Sequence, residues 1–130
     1  MIYALLHAAQ SVEKKLEDAL AKVELSGPKY AALTVLVQAG EPISLSELAN
    51  RLTCVRSNIT QLIDRLENDG LVRRVDDPGD RRGKRAELTQ LGLRRQAAGA
   101  RQVEQVQDAL AKLIAGVDPA ALSATLSALL

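Results

Sequence analysis

The chain has very few aromatic side chains. Its 130 residues include no Trp, no Phe and only two Tyr. Proteins that bind single-stranded nucleic acid commonly stack the bases on aromatic rings. The shortage of rings therefore argues against an aromatic RNA-binding platform or an oligonucleotide-binding barrel.

Cysteine and histidine are equally scarce, with Cys54 and His7 as the sole examples. A single thiol cannot form an internal disulfide, and neither residue has a neighbour at the spacing of metal ligands. We therefore predict no metal site and a reduced, cytoplasmic compartment. No apolar run approaches the roughly 18 residues of a membrane span, so we expect no membrane partner.

The sequence also lacks the patterns that carry catalysis. We find no nucleophile paired with a base and no glycine-rich loop of the kind that cradles phosphates. Asp76, Asp77 and Asp80 cluster, but on a predicted hairpin tip without a pocket, where water would solvate them. We therefore predict no catalytic residues, no enzyme activity and no cofactor.

Alanine and leucine are abundant, with 20 and 22 copies, and both favour helices. Apolar spacing, N-cap residues and terminating glycines predict helices over 2–24, 28–38, 45–52, 55–69, 89–115 and 118–130. Two short strands, 71–75 and 85–88, flank the charged, turn-rich stretch 76–84. This pattern predicts a hairpin with a long tip.

The order helix, helix, helix-turn-helix, hairpin, helix, helix describes a mainly α winged helix-turn-helix with a small β-hairpin. The whole chain, 1–130, then forms one winged-helix unit. Residues 28–88 would be the DNA-binding part, and the terminal helices, 1–24 and 89–130, carry more apolar surface than such a core covers. Because exposed Leu and Val side chains are costly, we predict that these helices pair with a second copy.

The formal net charge of +1 conceals an uneven distribution. Residues 71–101 hold nine basic and four acidic side chains, whereas 1–70 hold seven and nine, and 102–130 hold one and three. A basic run is often only a solvated surface. Here it occupies the hairpin that a winged fold lays against phosphates, which favours DNA binding.

The fourth predicted helix would turn Val55, Ile59, Leu62, Ile63 and Leu66 inward. Its outward residues suit base edges and phosphates, because Arg pairs with guanine, Asn and Gln pair with adenine, and Ser and Thr serve either. The alternative is an ordinary polar helix face. The outward set is Arg56, Ser57, Asn58, Thr60, Gln61, Asp64 and Arg65.

Several motifs resemble those of the MarR family of bacterial transcriptional regulators. The matching residues are Leu48-Ala49, the stretch from Ile59 to Glu67, Gly70-Leu71-Val72-Arg73-Arg74, Asp77-Pro78, Asp80-Arg81-Arg82 and Leu88-Thr89-x-x-Gly92. The combination is specific, whereas each piece alone is weak.

This resemblance implies a homodimeric regulator, most often a repressor, on a palindromic duplex operator and modulated by a small ligand. It also implies that Arg82 enters the minor groove while Asp80 holds that arginine in place, in keeping with the negative potential of a narrow minor groove. Phosphate contacts would come from Arg81, Lys84 and Arg85, and from Arg73 or Arg74 if they face outward.

Some readings stay open. Cys54 is either a redox switch or a small packing residue. Tyr3, His7 and Tyr30 either line an effector pocket or pack between helices. The alternative function is a winged-helix module that binds protein without DNA, and a regulator that needs no ligand is a further option.

Overall fold

The computed structural model describes residues 1–52 and 56–130, with the side chains of Arg56 and Ser57 left out. Its helices and strands confirm the predicted fold class, which is mainly helical with a small antiparallel sheet. In chain order they are α1 (Ile2–Ala21), α2 (Gly27–Ala39), β1 (Ile43–Ser44), α3 (Leu45–Leu52), α4 (Arg56–Asn68), β2 (Val72–Asp77), β3 (Asp80–Leu88), α5 (Gln90–Leu113) and α6 (Pro119–Ser127).

The predicted capping residues begin the helices as expected. Side-chain oxygens accept hydrogen bonds from first-turn amides at Ser26, Ser44, Thr89 and Asp118. At the other end of α2, Gly40 has φ 70, and Gly70 has φ 75 just after α4. Glycine adopts this left-handed conformation without steric penalty, which is why helices commonly end at it.

Helix α1 ends earlier than predicted, at Ala21 and not at residue 24. The chain leaves it through a turn in which Glu24 has φ 58 and the Leu25 amide donates to the Leu20 carbonyl at 3.0 Å. This turn places Leu25 in the core, 6% exposed. Burial of Leu25 thus accompanies an uncommon backbone conformation at Glu24.

The hairpin differs from the prediction. Strands β2 and β3 pair almost to the turn, leaving only Pro78 and Gly79 between them, so the predicted long tip was wrong. Opposite charges on the two strands pair across the ladder, with Lys84 bonded to Asp76 and Arg85 to Asp77. Cross-strand pairs of this kind stabilise a charged stretch as a strand.

The sheet also has a strand that the sequence analysis missed. The two-residue strand β1 pairs with β3, with Ile43 opposite Ala86 and Ser44 opposite Arg85. The resulting strand order is β1-β3-β2. This pairing attaches the start of α3 to the hairpin.

The core lies where α4 meets the other helices and the hairpin. Ile59, Ile63 and Leu66 of α4 are fully buried and cluster with Leu71 and Val72, together with residues of α1, α2 and α3. Burial of each such side chain contributes about 1.5–3 kcal/mol. The periodicity of α4 therefore sets which of its faces remains exposed.

Helix α5 begins directly against this core. The Thr89 amide donates to the Leu71 carbonyl at 3.1 Å, and the Thr89 hydroxyl donates to the Gly70 carbonyl at 2.6 Å. One turn later, a Cβ atom at Gly92 would overlap the carbonyl oxygen of Leu71. The close approach of α5 to this backbone thus requires glycine.

Both ends of the chain expose large apolar side chains, and α6 buries none of its residues. No helix in the described part of the chain is long and apolar enough to cross a membrane. The exposed apolar residues of the two ends are Met1, Ile2, Tyr3, Leu5, Leu6, Val12, Leu113, Ile114, Val117, Leu126, Leu129 and Leu130.

We expect Gly92→Ala to lower the free energy of unfolding by about 1–3 kcal/mol, because the added methyl group overpacks a backbone contact. Gly116→Ala is the matched control, since a Cβ atom there would meet nothing within 4 Å. Urea unfolding of both variants measures the difference. Equal stabilities would contradict the close approach of α5 to Leu71.

Candidate nucleic-acid interface

From Asn58 onward, the exposed face of α4 is polar. Asn58, Thr60, Gln61, Asp64 and Arg65 are exposed, in alternation with the buried Ile59, Leu62, Ile63 and Leu66. This is the orientation that the periodicity predicts. Arg56 and Ser57 begin α4, but their side chains lie outside the described part of the structure, so their predicted role stays a prediction.

The hairpin formed by β2 and β3, hereafter the wing, presents two unpaired guanidinium groups. Arg81 and Arg82 are exposed near its tip. Among the described residues, neither side chain forms a hydrogen bond or ion pair. Both groups are therefore available to phosphates or to a groove edge.

Asp80 contacts Arg82 in a way the resemblance did not imply. Its Oδ1 accepts a hydrogen bond from the backbone amide of Arg82 at 2.9 Å, and within the described contacts it does not bind the guanidinium. A carboxylate that bonds its own backbone two residues on is a common turn-forming device. Asp80 thus shapes the backbone that carries Arg82 and leaves the guanidinium unpaired.

Three other wing cations are paired with carboxylates on the facing strand. Arg73 binds Glu87 at 3.0 Å and Arg85 binds Asp77 at 3.3 Å, while Lys84 binds Asp76. The hydrogen bond and the charge of Lys84 lower the pKa of Asp76 below its ordinary value. Each of these cations would have to share its charge between its carboxylate and a phosphate.

The sequence analysis expected Arg74 to contact phosphate only if its side chain faces outward. In the structure this side chain points toward α4 instead. It lies on β2, yet its guanidinium reaches α4, binding Asp64 at 2.6 Å and Glu67 at 2.5 Å. Burial alone would lower the pKa of Arg74, but the hydrogen bonds and charges of these carboxylates raise it above its ordinary value. Arg74 is thus a fixed cation between the wing and α4.

Sequence reasoning missed the two partners of Arg74. Asp64 and Glu67 lie three residues apart, which places them on one face of a helix. That spacing was a usable signal for a shared cation, but it did not identify which cation. The partner follows from the turn at Gly70, after which β2 runs back alongside α4.

The structure places the three candidate effector residues in different surroundings. Tyr3 is 78% exposed, and His7 is exposed in the same part of α1. Tyr30 is half-buried against α5, where a Cβ atom at Gly99 would lie 2.7 Å from its ring. Tyr30 therefore has a packing role between α2 and α5, and the effector role of all three stays a prediction.

Two further expectations concern Cys54 and metals. Cys54 lies outside the described residues, so the structure bears on neither of its readings. Among residues 1–52 and 56–130, no group of three or more His, Cys, Asp or Glu side chains is arranged to hold a metal ion.

Comparison with known proteins identifies a family that this chain resembles. The MarR family model matches residues 25–84, which run from the start of α2 into the wing. The uncharacterised HTH-type transcriptional regulator YsmB of Bacillus subtilis is 33% identical over 91 residues, covering 70% of this chain and 62% of YsmB. The chain spans about half to three fifths of the length of the curated relatives it matches.

Solved structures resemble almost the whole chain. The transcriptional repressor CouR, bound to a 23-mer DNA duplex, superposes with a TM-score of 0.87 and 28% identity, covering 99% of this chain and 91% of that one. AbsC, a MarR family transcriptional regulator from Streptomyces coelicolor, gives a TM-score of 0.84 and 29% identity, with coverage of 98% and 85%. Family model, relatives and superpositions agree with the motifs and the fold: the chain matches the MarR family model over residues 25–84 and resembles a MarR family regulator over nearly its whole length.

Proposed function

We propose that this chain is a sequence-specific transcriptional regulator that binds double-stranded DNA, acting as a repressor on a palindromic operator. The observation that carries the proposal is the pair of unpaired guanidinium groups of Arg81 and Arg82 on the wing, together with the exposed polar face of α4. A helix of this kind enters the major groove. An arginine on the neighbouring wing suits the negative potential of the minor groove.

The exposed face of α4 and the wing would make different kinds of contact with DNA. On α4, Arg56, Ser57, Asn58, Thr60, Gln61 and Arg65 would contact bases and nearby phosphates, with Asn58 and Gln61 suited to adenine. On the wing, Arg82 would enter the minor groove and Arg81 would contact phosphate. The paired cations Arg73, Lys84 and Arg85 would add weaker phosphate contacts.

A winged-helix module that binds protein is the alternative in another class. A protein-binding wing has no need for two adjacent arginines without carboxylate partners. CouR, which superposes on nearly the whole chain, is described as a repressor bound to a DNA duplex. Both points support the DNA-binding function over the alternative.

The proposal extends to the whole chain. Residues 28–88 would form the DNA-binding unit, while 1–24 and 89–130 would pair with a second copy. The pairing is supported by the exposed apolar side chains at both ends of the chain, because their exposure to water costs free energy. A homodimer presents two wings and two α4 helices, which matches a palindromic site.

Other properties of the proposed regulator rest on the resemblance to the MarR family and on sequence. They are modulation by a small ligand, with Tyr3, His7 and Tyr30 as candidate contacts, a cytoplasmic location and the absence of enzyme activity.

Arg82→Ala should weaken operator binding about tenfold or more and reduce the salt dependence of binding, because one phosphate-proximal cation is lost. The measurement is a fluorescence-anisotropy titration at several salt concentrations, using an operator selected from a random duplex pool. Arg101→Ala, which removes an exposed arginine from α5, is the matched control and should bind like the wild type. Unchanged affinity of the Arg82 variant would refute the role of the wing.

Changes at Asn58 or Gln61 should alter which sequences are preferred, at a cost of roughly 1–3 kcal/mol for each lost base contact. Selection of bound duplexes from a random pool, repeated with Asn58→Ala and Gln61→Ala, measures the preference. Arg56→Ala extends the same test to the start of α4. A uniform loss of affinity with an unchanged consensus would contradict base contacts by α4.

Sedimentation velocity at micromolar concentration should show a dimer. Because the apolar surface at the chain ends drives the association, Leu113→Glu should shift the distribution toward monomer. A charge placed on an exposed position away from these ends, as in Gln61→Glu, should leave the dimer intact. A wild-type chain that sediments as a monomer would refute the pairing of the terminal helices.

A further inference from the structure

The Arg74 side chain links the wing to α4 by hydrogen bonds. Its Nη1 atom donates to Glu67 Oε1 at 2.5 Å, and its Nη2 atom donates to Asp64 Oδ1 at 2.6 Å. Nη2 also lies 3.5 Å from the Thr60 carbonyl oxygen. The guanidinium therefore spans two turns of α4 from a position on the neighbouring strand.

Glu67 also forms a hydrogen bond with the backbone of Arg74. Its other oxygen, Oε2, accepts a hydrogen bond from the backbone amide of Arg74 at 3.1 Å. The carboxylate of Glu67 is thus bonded to both the backbone and the side chain of one residue on β2. A planar guanidinium bonded to two carboxylates has far less freedom than a single ion pair between flexible chains.

The location of this contact matters for recognition. Thr60 and Asp64 belong to the exposed face of α4, and Asn58 and Gln61 flank Thr60 in the chain. Arg74 lies on the strand paired with β3, which carries Arg81 and Arg82. A rotation of α4 relative to the wing would therefore have to break the contacts of Arg74.

We propose that Arg74 is a positioning residue for DNA recognition, holding the base-contacting face of α4 at a set orientation to the wing. The inference rests on the proposed DNA-binding function. Functional side chains must be held within about 0.5 Å of their productive geometry. Arg74 supplies that constraint between the two surfaces that enter neighbouring grooves.

A second effect of Arg74 is electrostatic. Asp64 and Glu67 carry negative charge on or beside a helix that faces phosphates. The guanidinium lies 2.5–2.6 Å from both carboxylates and offsets one of the two negative charges, so α4 can approach DNA with less repulsion. The carboxylates in turn occupy Arg74, which is 23% exposed and is not free to contact phosphate.

The test separates positioning from direct phosphate contact. Loss of a phosphate contact weakens binding evenly across sequences and reduces the salt slope by about 1. Loss of a positioning contact weakens base recognition, so the ratio of affinities for operator and scrambled duplexes falls. The number of phosphates contacted, and therefore the salt slope, stays close to that of the wild type.

The variants are Arg74→Ala, Arg74→Lys and Glu67→Gln, and the probes are the operator selected with the wild-type chain and a scrambled duplex of equal length. We expect each variant to lower the operator-to-scrambled affinity ratio about tenfold, with the salt slope unchanged. Lysine keeps the charge but lacks the planar, forked donors with which the guanidinium binds both carboxylates. Glu67→Gln leaves the Arg74 side chain unchanged and weakens its interaction with residue 67.

Arg73→Ala is the matched control. Arg73 is the neighbouring residue on β2 and is also paired with a carboxylate, but its partner, Glu87, lies on β3 and not on α4. Because Arg73 would contact only phosphate, its loss should weaken binding to both duplexes equally and keep the wild-type affinity ratio. Circular dichroism and thermal unfolding identify any variant that fails to fold, in which case Glu67→Gln and Arg74→Lys carry the test.

The outcomes are distinguishable. An unchanged affinity ratio in the folded Arg74 and Glu67 variants would overturn the proposal, as would an equal loss with Arg73→Ala. A salt slope reduced by about 1 together with an even loss across sequences would make Arg74 a phosphate contact, and stronger binding of Glu67→Gln to all duplexes would also overturn the proposal. A wild-type chain that discriminates between no duplexes would instead refute the proposed function.

Discussion

The burial of one face of α4 against the hairpin is the constraint on which the rest of the structure depends. Ile59, Ile63 and Leu66 are fully buried, and together with Leu71 and Val72 they form the centre of the core. Because a helix has a fixed periodicity, this burial exposes Asn58, Thr60 and Gln61 on the opposite face. It also brings β2 alongside α4, which is what allows Arg74 to reach Asp64 and Glu67.

The connection to α5 ties the same core to the terminal helices. Thr89 caps α5 and at the same time bonds the carbonyls of Gly70 and Leu71, while Gly92 lets the helix lie against that backbone. There is no flexible linker at this joint. A displacement of α5 would therefore move the base of the wing with it, and in the proposed dimer the packing of α5 would set the spacing of the two wings.

Local signals in the sequence predicted most of the fold, and contacts between distant residues account for what it missed. Helix caps and terminating glycines act within one helical turn, so they can be recognised from the sequence. Examples are Ser26, Thr89 and Gly40. Strand β1 has only two residues and exists through pairing with β3, about forty positions away. Cross-strand ion pairs stabilise the full length of the wing strands. In the sequence alone, the same run of charged residues resembles a loop because the partner of each charge is not apparent.

The same distinction applies to the candidate site. The outward face of α4 follows from periodicity. The partner of Asp80 depends instead on the hairpin turn, and the partners of Arg74 depend on the turn at Gly70 that places β2 alongside α4. Pairing within the wing has a consequence for how such a protein would search a genome. Affinity for bulk DNA comes almost entirely from free cations that displace counterions. Since most wing cations are already engaged by carboxylates, we expect weak retention on random sequence, so that the protein spends little time trapped away from its operator.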